Sequence, residues 1–186
     1  GIEVSTSILT DQPVADGISE LIGKLKPDML VKATRYHSAA ERSMFVDTDW
    51  QLMRTCPCPI WFVKSTAVPD NPQIIAAVDP SHAHSKPAAL DDAIVETALA
   101  VAEKFAGDAH LLHTYIPVAG IAKVANRTFK PTRLSVEDID KEVQAEHRRN
   151  LDALAAKHGV PADRVHQLPG RASEIIPAFA RTRKSG

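Results

Sequence analysis

Hydrophobic and polar residues along this 186-residue chain switch repeatedly between a two-residue and a helical period. Residues 2–9 (IEVSTSIL) alternate and are rich in β-branched side chains, which predicts a strand. Behind Asp11 and Pro13, an expected cap and first-turn proline, Val14, Ile18, Leu21, Ile22 and Leu25 recur at helical spacing. MLVKAT (29–34) reads as a second strand. Asp47, Thr48 and Asp49 offer capping oxygens to a short helix through Met53, and the prolines of Cys-Pro-Cys-Pro break it before strand IWFVK (60–64). After a polar, twice proline-punctuated linker at 66–73 the pattern restarts with strand IIAAVD (74–79).

Leu90, Ile94, Ala98, Val101 and Phe105 then mark an amphipathic helix, followed by strand AHLLHTY (109–115). Residues 117–134 are irregular and long for a connection. Ser135 is placed to cap a helix carrying Val136, Ile139, Val143, Leu151 and Leu154, which Gly159 and Pro161 should end. Strand RVHQL (164–168) and helix ASEIIPAFA (172–180) close the pattern. Strands alternating with helices predict an α/β fold: an open, mostly parallel five-stranded sheet with helices on both faces, because right-handed crossovers lay each helix against the sheet.

Composition narrows the functional classes. With 44% hydrophobic and 24% charged residues the chain can bury a core. A formal net charge of −1 supplies no basic field for a polyanion, so no nucleic-acid partner is expected. The apolar runs are too short to span a bilayer and no basic-apolar leader pattern opens the sequence, so no membrane partner and a cytoplasmic location are expected. Cys56 and Cys58 are the two cysteines; their spacing is tight for a structural disulfide, and two buried free thiols are expected.

The ends of the chain repeat one another. QPVADGISELI (12–22) lies over GRASEIIPAFA (170–180), placing Ile18 on Ile176 and Leu21 on Phe179 at an offset of 170 − 12 = 158 residues, about one domain. The chain therefore reads as the back of one repeat (1–65) joined by the linker 66–73 to the front of the next (74–186).

Segment 27–65, with Thr48-Asp49-Trp50 followed by a leucine, a basic residue and Cys-Pro, resembles the last two strands of a universal stress protein domain. Segment 74–115, an apolar strand ending in Asp79, resembles the start of another. The resemblance to this family, in its tandem-domain type, implies a stress-response protein with a regulatory or protective role and no catalysis. In nucleotide-binding members a Gly-x-x-Gly loop and a later Gly-Ser or Gly-Thr cradle phosphates, because only glycine lets backbone N–H groups approach the oxygens so closely. Here Ala33, Tyr36 and Val46 match the three glycines, and Asp47 sets a carboxylate where a phosphate would lie. This degenerate phosphate loop is not expected to hold ATP.

Asp79 matches the acidic residue that contacts the nucleoside in binding members, and ligands of open parallel sheets do bind outside the carboxyl ends of strands. The plainer reading of Asp79 is a cap on the loop through Pro80 and Ser81. Ala77, Thr114, Lys32, Thr34 and Arg35 lie at neighbouring strand ends and could complete a pocket for an unidentified small molecule, with ATP or AMP as candidate ligands and no certain cofactor. His82 and His84, joined by His37, form a weak metal candidate, since two imidazoles without an acidic or thiolate partner hold an ion poorly. The alternatives are an adenine-nucleotide-binding stress protein using the second repeat, and a nucleotide hydrolase of the same fold group. Incomplete repeats leave sheet edges open, which either one permuted domain or a swapped dimer would satisfy; a homodimer or swapped dimer is expected, with IWFVK at the contact.

Overall fold

The computed structural model describes residues 3–10, 13–34, 48–64, 67–81, 86–87, 89–117 and 136–183. The chain divides into two units, Gly1–Ala67 and Val68–Gly186. In the first, α1 (Val14–Leu25) and α2 (Thr48–Thr55) accompany a parallel pair, β1 (Leu30–Ala33) and β2 (Ile60–Val63), with Leu30 opposite Ile60 and Ala33 opposite Val63. Helix α1 buries Ala15, Gly17 and Ile22, and α2 buries Leu52. Gln51 on α2 donates to Asp16 on α1 at 3.3 Å. Pro13 stands at the start of α1 with extended backbone; proline there loses no hydrogen bond, since the first-turn N–H groups have no helical partner.

The second unit holds a three-stranded parallel sheet in the order β3 (Gln73–Ala77), β4 (Asp108–Tyr115), β5 (Val165–Pro169). Helices α3 (Leu90–Lys104) and α4 (Val136–Lys157) lie in the two crossovers, and α5 (Ala172–Arg183) follows β5. Ala76 and Val78 of the β3 segment, Ala109 and Leu111 of β4, and Val165 of β5 point to one face and pack with Val95, Ala98 and Ala102 of α3 and Leu151 and Ala155 of α4. The other face carries His110, Leu112 and His166 and meets Phe179 of α5. Leu111 and Leu112, adjacent on β4 and therefore on opposite faces, are both fully buried, as a central strand between helical layers requires.

The α/β class and the parallel pairing match the sequence expectation, but the single five-stranded sheet does not: among the described residues the strands form two separate sheets of two and three strands. The first predicted strand is also corrected. Residues 3–10 have no regular structure, and Val4 and Ile8 are more than four-fifths exposed. A β-branched alternating run becomes a strand only when a sheet edge accepts its backbone, so pattern alone does not decide it. Ser135, Asp11 and the loop 118–134 lie outside the described residues.

Two helix ends in the second unit follow one scheme. At α4, Gly159 (φ 67°) donates to Ala156 and Val160 to Ala155, closing a Schellman motif as the glycine predicts. At α3 the same two bonds are made by Ala106 to Glu103 and Gly107 to Ala102, with a non-glycine, Ala106, in the left-handed region (φ 50°).

Candidate functional site in the second unit

Parallel strands all deliver their carboxyl ends to one edge of the sheet, and there the second unit opens a cleft of about 660 Å3. Its floor is Ala77 at the end of β3, Val78 and Asp79 just after it, and Leu112, Thr114 and Tyr115 of β4; its walls come from α3, α4 and the start of α5. Hydrogen bonds extend the sheet into the cleft. Val78 donates to Leu112 O at 3.0 Å and Gly170 to Tyr115 O at 2.8 Å. Gly170 has φ 133°, and a Cβ there would stand 2.8 Å from Ile175 Cγ1, so glycine lets the chain turn down onto α5 at the rim.

The polar groups form two linked sets. In one, Asp91, in the first turn of α3, accepts through Oδ1 from the Asp79 backbone N–H at 3.1 Å and through Oδ2 from Lys86 Nζ at 2.5 Å. The same ammonium donates to the Asp79 carbonyl. The Lys86 and Asp91 side chains keep only 14% and 12% of their exposure, so this buried pair fixes the backbone at Asp79 on both sides. The Asp79 carboxylate itself faces the cleft, with 47% of its side chain exposed.

In the other set, His113 is fully buried and its Nδ1 lies 3.0 Å from Val78 O. A carbonyl only accepts, so Nδ1 carries the proton; in the neutral ring Nε2 then accepts from His147 Nδ1 at 2.6 Å. The two rings stack with centroids 4.9 Å apart, and Tyr115 tilts against His147 at 5.7 Å. Asp79 Oδ1 lies 3.6 Å from His113 Nδ1. The second strand end is thus tied through two imidazoles to the middle of α4.

A further histidine pair lies on the α5 face. His110 Nε2 donates to Gln73 Oε1 at 2.5 Å, which leaves His110 Nδ1 to accept from His166 Nε2 at 3.0 Å. Phe179 covers His166, and Arg183 sits over the Phe179 ring at 5.0 Å. Burial first, then the Arg183 charge, holds both imidazoles below the usual histidine range.

Of the site residues expected from sequence, Asp79, Ala77 and Thr114 meet in this cleft. Lys32 and Thr34 belong to the first unit. There Lys32 pairs with Asp49 at 2.5 Å and Thr34 donates to Val63 O at 2.8 Å, prolonging the β1–β2 ladder. Ala33 ends β1. Arg35, Tyr36, Val46, Asp47, His37, His82 and His84 lie outside the described residues. Sequence reasoning missed Lys86, Asp91, His113 and His147. One signal was present: His147 sits midway between Val143 and Leu151 on the apolar stripe of α4, a place where a polar ring must find a buried partner. The two cysteines also differ from expectation. They are half-buried, not buried, and in contact, with Sγ atoms 3.5 Å apart.

Comparison with known proteins sets this geometry in context. Residues 1–64 match the universal stress protein family. The chain is 28% identical over 181 residues to the universal stress protein E homolog of Haemophilus influenzae, covering 97% of this chain and 57% of that one. It is 27% identical over 166 residues to universal stress protein E of Escherichia coli K12, covering 86% and 49%. The chain thus spans about half the length of these relatives. Among solved structures it resembles a protein described as a universal stress protein from Pseudomonas aeruginosa UCBPP-PA14 (TM-score 0.71, 18% identity, covering 94% of this chain and 55% of that one). A functionally unknown protein from P. aeruginosa PAO1 gives a TM-score of 0.68 at the same identity and coverage. These two likenesses bear on the fold.

Proposed function

We propose that this chain, whose residues 1–64 are a segment of the universal stress protein family, is a stress-response protein with a regulatory or protective role, and that its second unit takes the nucleoside end of an adenine nucleotide. The observation that carries this reading is the cleft at the carboxyl ends of β3–β5, with the Asp79 carboxylate exposed to it while Lys86 and Asp91 clamp the Asp79 backbone. A carboxylate held this way accepts hydrogen bonds from vicinal ribose hydroxyls. Leu112, Ile94 and Ile176 supply apolar surface for a base.

Charge argues against a triphosphate as the preferred form. The described part of the cleft brings two carboxylates, Asp79 and Asp91, against one ammonium, Lys86, which Asp91 already neutralises. In the first unit, the sequence at Ala33, Tyr36 and Val46 lacks the glycines that would let backbone N–H groups surround phosphate. Adenosine and AMP are therefore expected to bind more tightly than ATP, and binding without turnover is the expected activity. Among the described residues no helix is long and apolar enough to cross a membrane. A second copy of the chain is the macromolecular partner this reading favours, because Val31 and Trp61 of the β1–β2 pair are 58% and 39% exposed.

Isothermal titration of adenosine, AMP and ATP into the chain tests the reading. Saturable heats with adenosine or AMP that vanish in Asp79→Ala support it. Tighter binding of ATP, or binding indifferent to Asp79→Ala, contradicts it.

A further inference from the structure

The cysteine pair of the first unit lies where two elements join. The Cys56 N–H donates to Leu52 O at 2.9 Å, ending α2, and Leu30 N–H donates to Pro59 O at 2.9 Å, opening the β1–β2 ladder. Between those two hydrogen bonds the chain runs Cys56-Pro57-Cys58. Proline fixes its own φ and so narrows the separations the flanking thiols can adopt. The Sγ atoms stand 3.5 Å apart, in van der Waals contact, and both residues are partly open to solvent.

We infer that Cys56 and Cys58 form a redox-active dithiol that exchanges with low-molecular-weight disulfides and closes a reversible Cys56–Cys58 bridge between α2 and β2. The Cys56 thiolate attacks one sulfur of the external disulfide, forming a mixed disulfide and releasing one thiolate. Cys58 then loses its proton to solvent and attacks Cys56 Sγ; the new S–S bond forms, the mixed disulfide breaks, and the second small thiolate leaves and is protonated. The protein dithiol is oxidised by two electrons and the external disulfide is reduced to two thiols.

Burial, and the neighbouring Cys56, push the Cys58 thiol up, which suits Cys58 to the resolving step. The ring closed by a Cys-Pro-Cys bridge is small and therefore strained. Strained, accessible disulfides are the readily reduced ones, so the bridge is a switch and not a permanent staple. A soft metal ion is the competing occupant of two adjacent thiols. Among the described residues, however, no group of three or more His, Cys, Asp and Glu is placed to hold an ion.

Incubating the folded 186-residue chain with oxidised glutathione, then alkylating and weighing it intact, tests the inference. The expected product has lost two hydrogens, takes up no alkylating agent, and returns to two free thiols with dithiothreitol. Cys58→Ser should instead accumulate one glutathione adduct on Cys56, because the resolving thiol is gone. A wild-type chain that keeps both thiols alkylatable, or that carries glutathione on one or both cysteines without closing, overturns the inference.

Discussion

Asp91→Ala removes a carboxylate that serves three groups at once: it pairs with Lys86, accepts from the Asp79 N–H, and through Lys86 holds the Asp79 carbonyl. Deleting one partner of a buried ion pair costs about 3–5 kcal/mol, because the other charge stays desolvated without compensation. With 14% and 12% of exposure left on the two side chains, some water reaches Lys86 in the variant, so the low end of that range applies. A loss of about 3 kcal/mol lowers the folded-to-unfolded ratio of the second unit by roughly a hundredfold. Asp91→Asn keeps an oxygen for the Asp79 N–H and should lose less. Replacing both partners, Lys86→Met with Asp91→Leu, should recover most of the loss, since no charge is left stranded. Amide hydrogen exchange of β4 (Asp108–Tyr115) reads the stability of the core strand directly. Equal protection in wild type and Asp91→Ala, or a double variant worse than Asp91→Ala, would refute the reasoning.

Three further outcomes follow from the same structure. His110 and His166 are held below the ordinary imidazole range, so between their folded values and about 6.5 the unfolded chain binds more protons. Their contribution is full above that pH and is lost as pH falls through it, so urea midpoints measured from pH 8 to pH 5 should decline in acid, and less steeply in His166→Gln. Neighbouring substitutions after α3 should act with opposite signs. Ala106→Gly relieves a left-handed alanine and should stabilise by up to about 1 kcal/mol. Gly107→Ala puts a Cβ 2.2 Å from Pro72 O, against backbone that also bonds Asp108, and should cost about 3 kcal/mol in thermal unfolding. Leu111→Ala, fully buried against α3 and α4, should cost about 3–5 kcal/mol by the same measurement.

How much of this was legible in the sequence depends on whether local pattern or distant pairing decides each feature. Helix positions were readable because Val14 to Leu25 and Leu90 to Phe105 keep their apolar period and Gly159 marks its own stop. Strands β1 to β5 were readable within a residue or two, the usual uncertainty of an element end. The segment at residues 3–10 was misread since its alternation is as good as that of β1; what it lacks is a sheet edge, which no local pattern reveals. That Asp79 and Thr114 would stand at the carboxyl ends of their strands was readable, because that placement needs only the strand positions. Asp91 was hidden because an acid in the first turn of a helix reads as an ordinary partner of the dipole. The His113–His147 bond joins residues 34 apart in sequence and depends on how α4 lies across β4.

The most direct test of the central claim is native mass spectrometry of the gently purified chain beside its Asp79→Ala variant. The account predicts a wild-type dimer retaining an adenine nucleoside or monophosphate, and a variant of the same oligomeric state that is empty. Wild type and variant carrying the same ligand, or a wild type to which added adenosine leaves no bound mass, would contradict it.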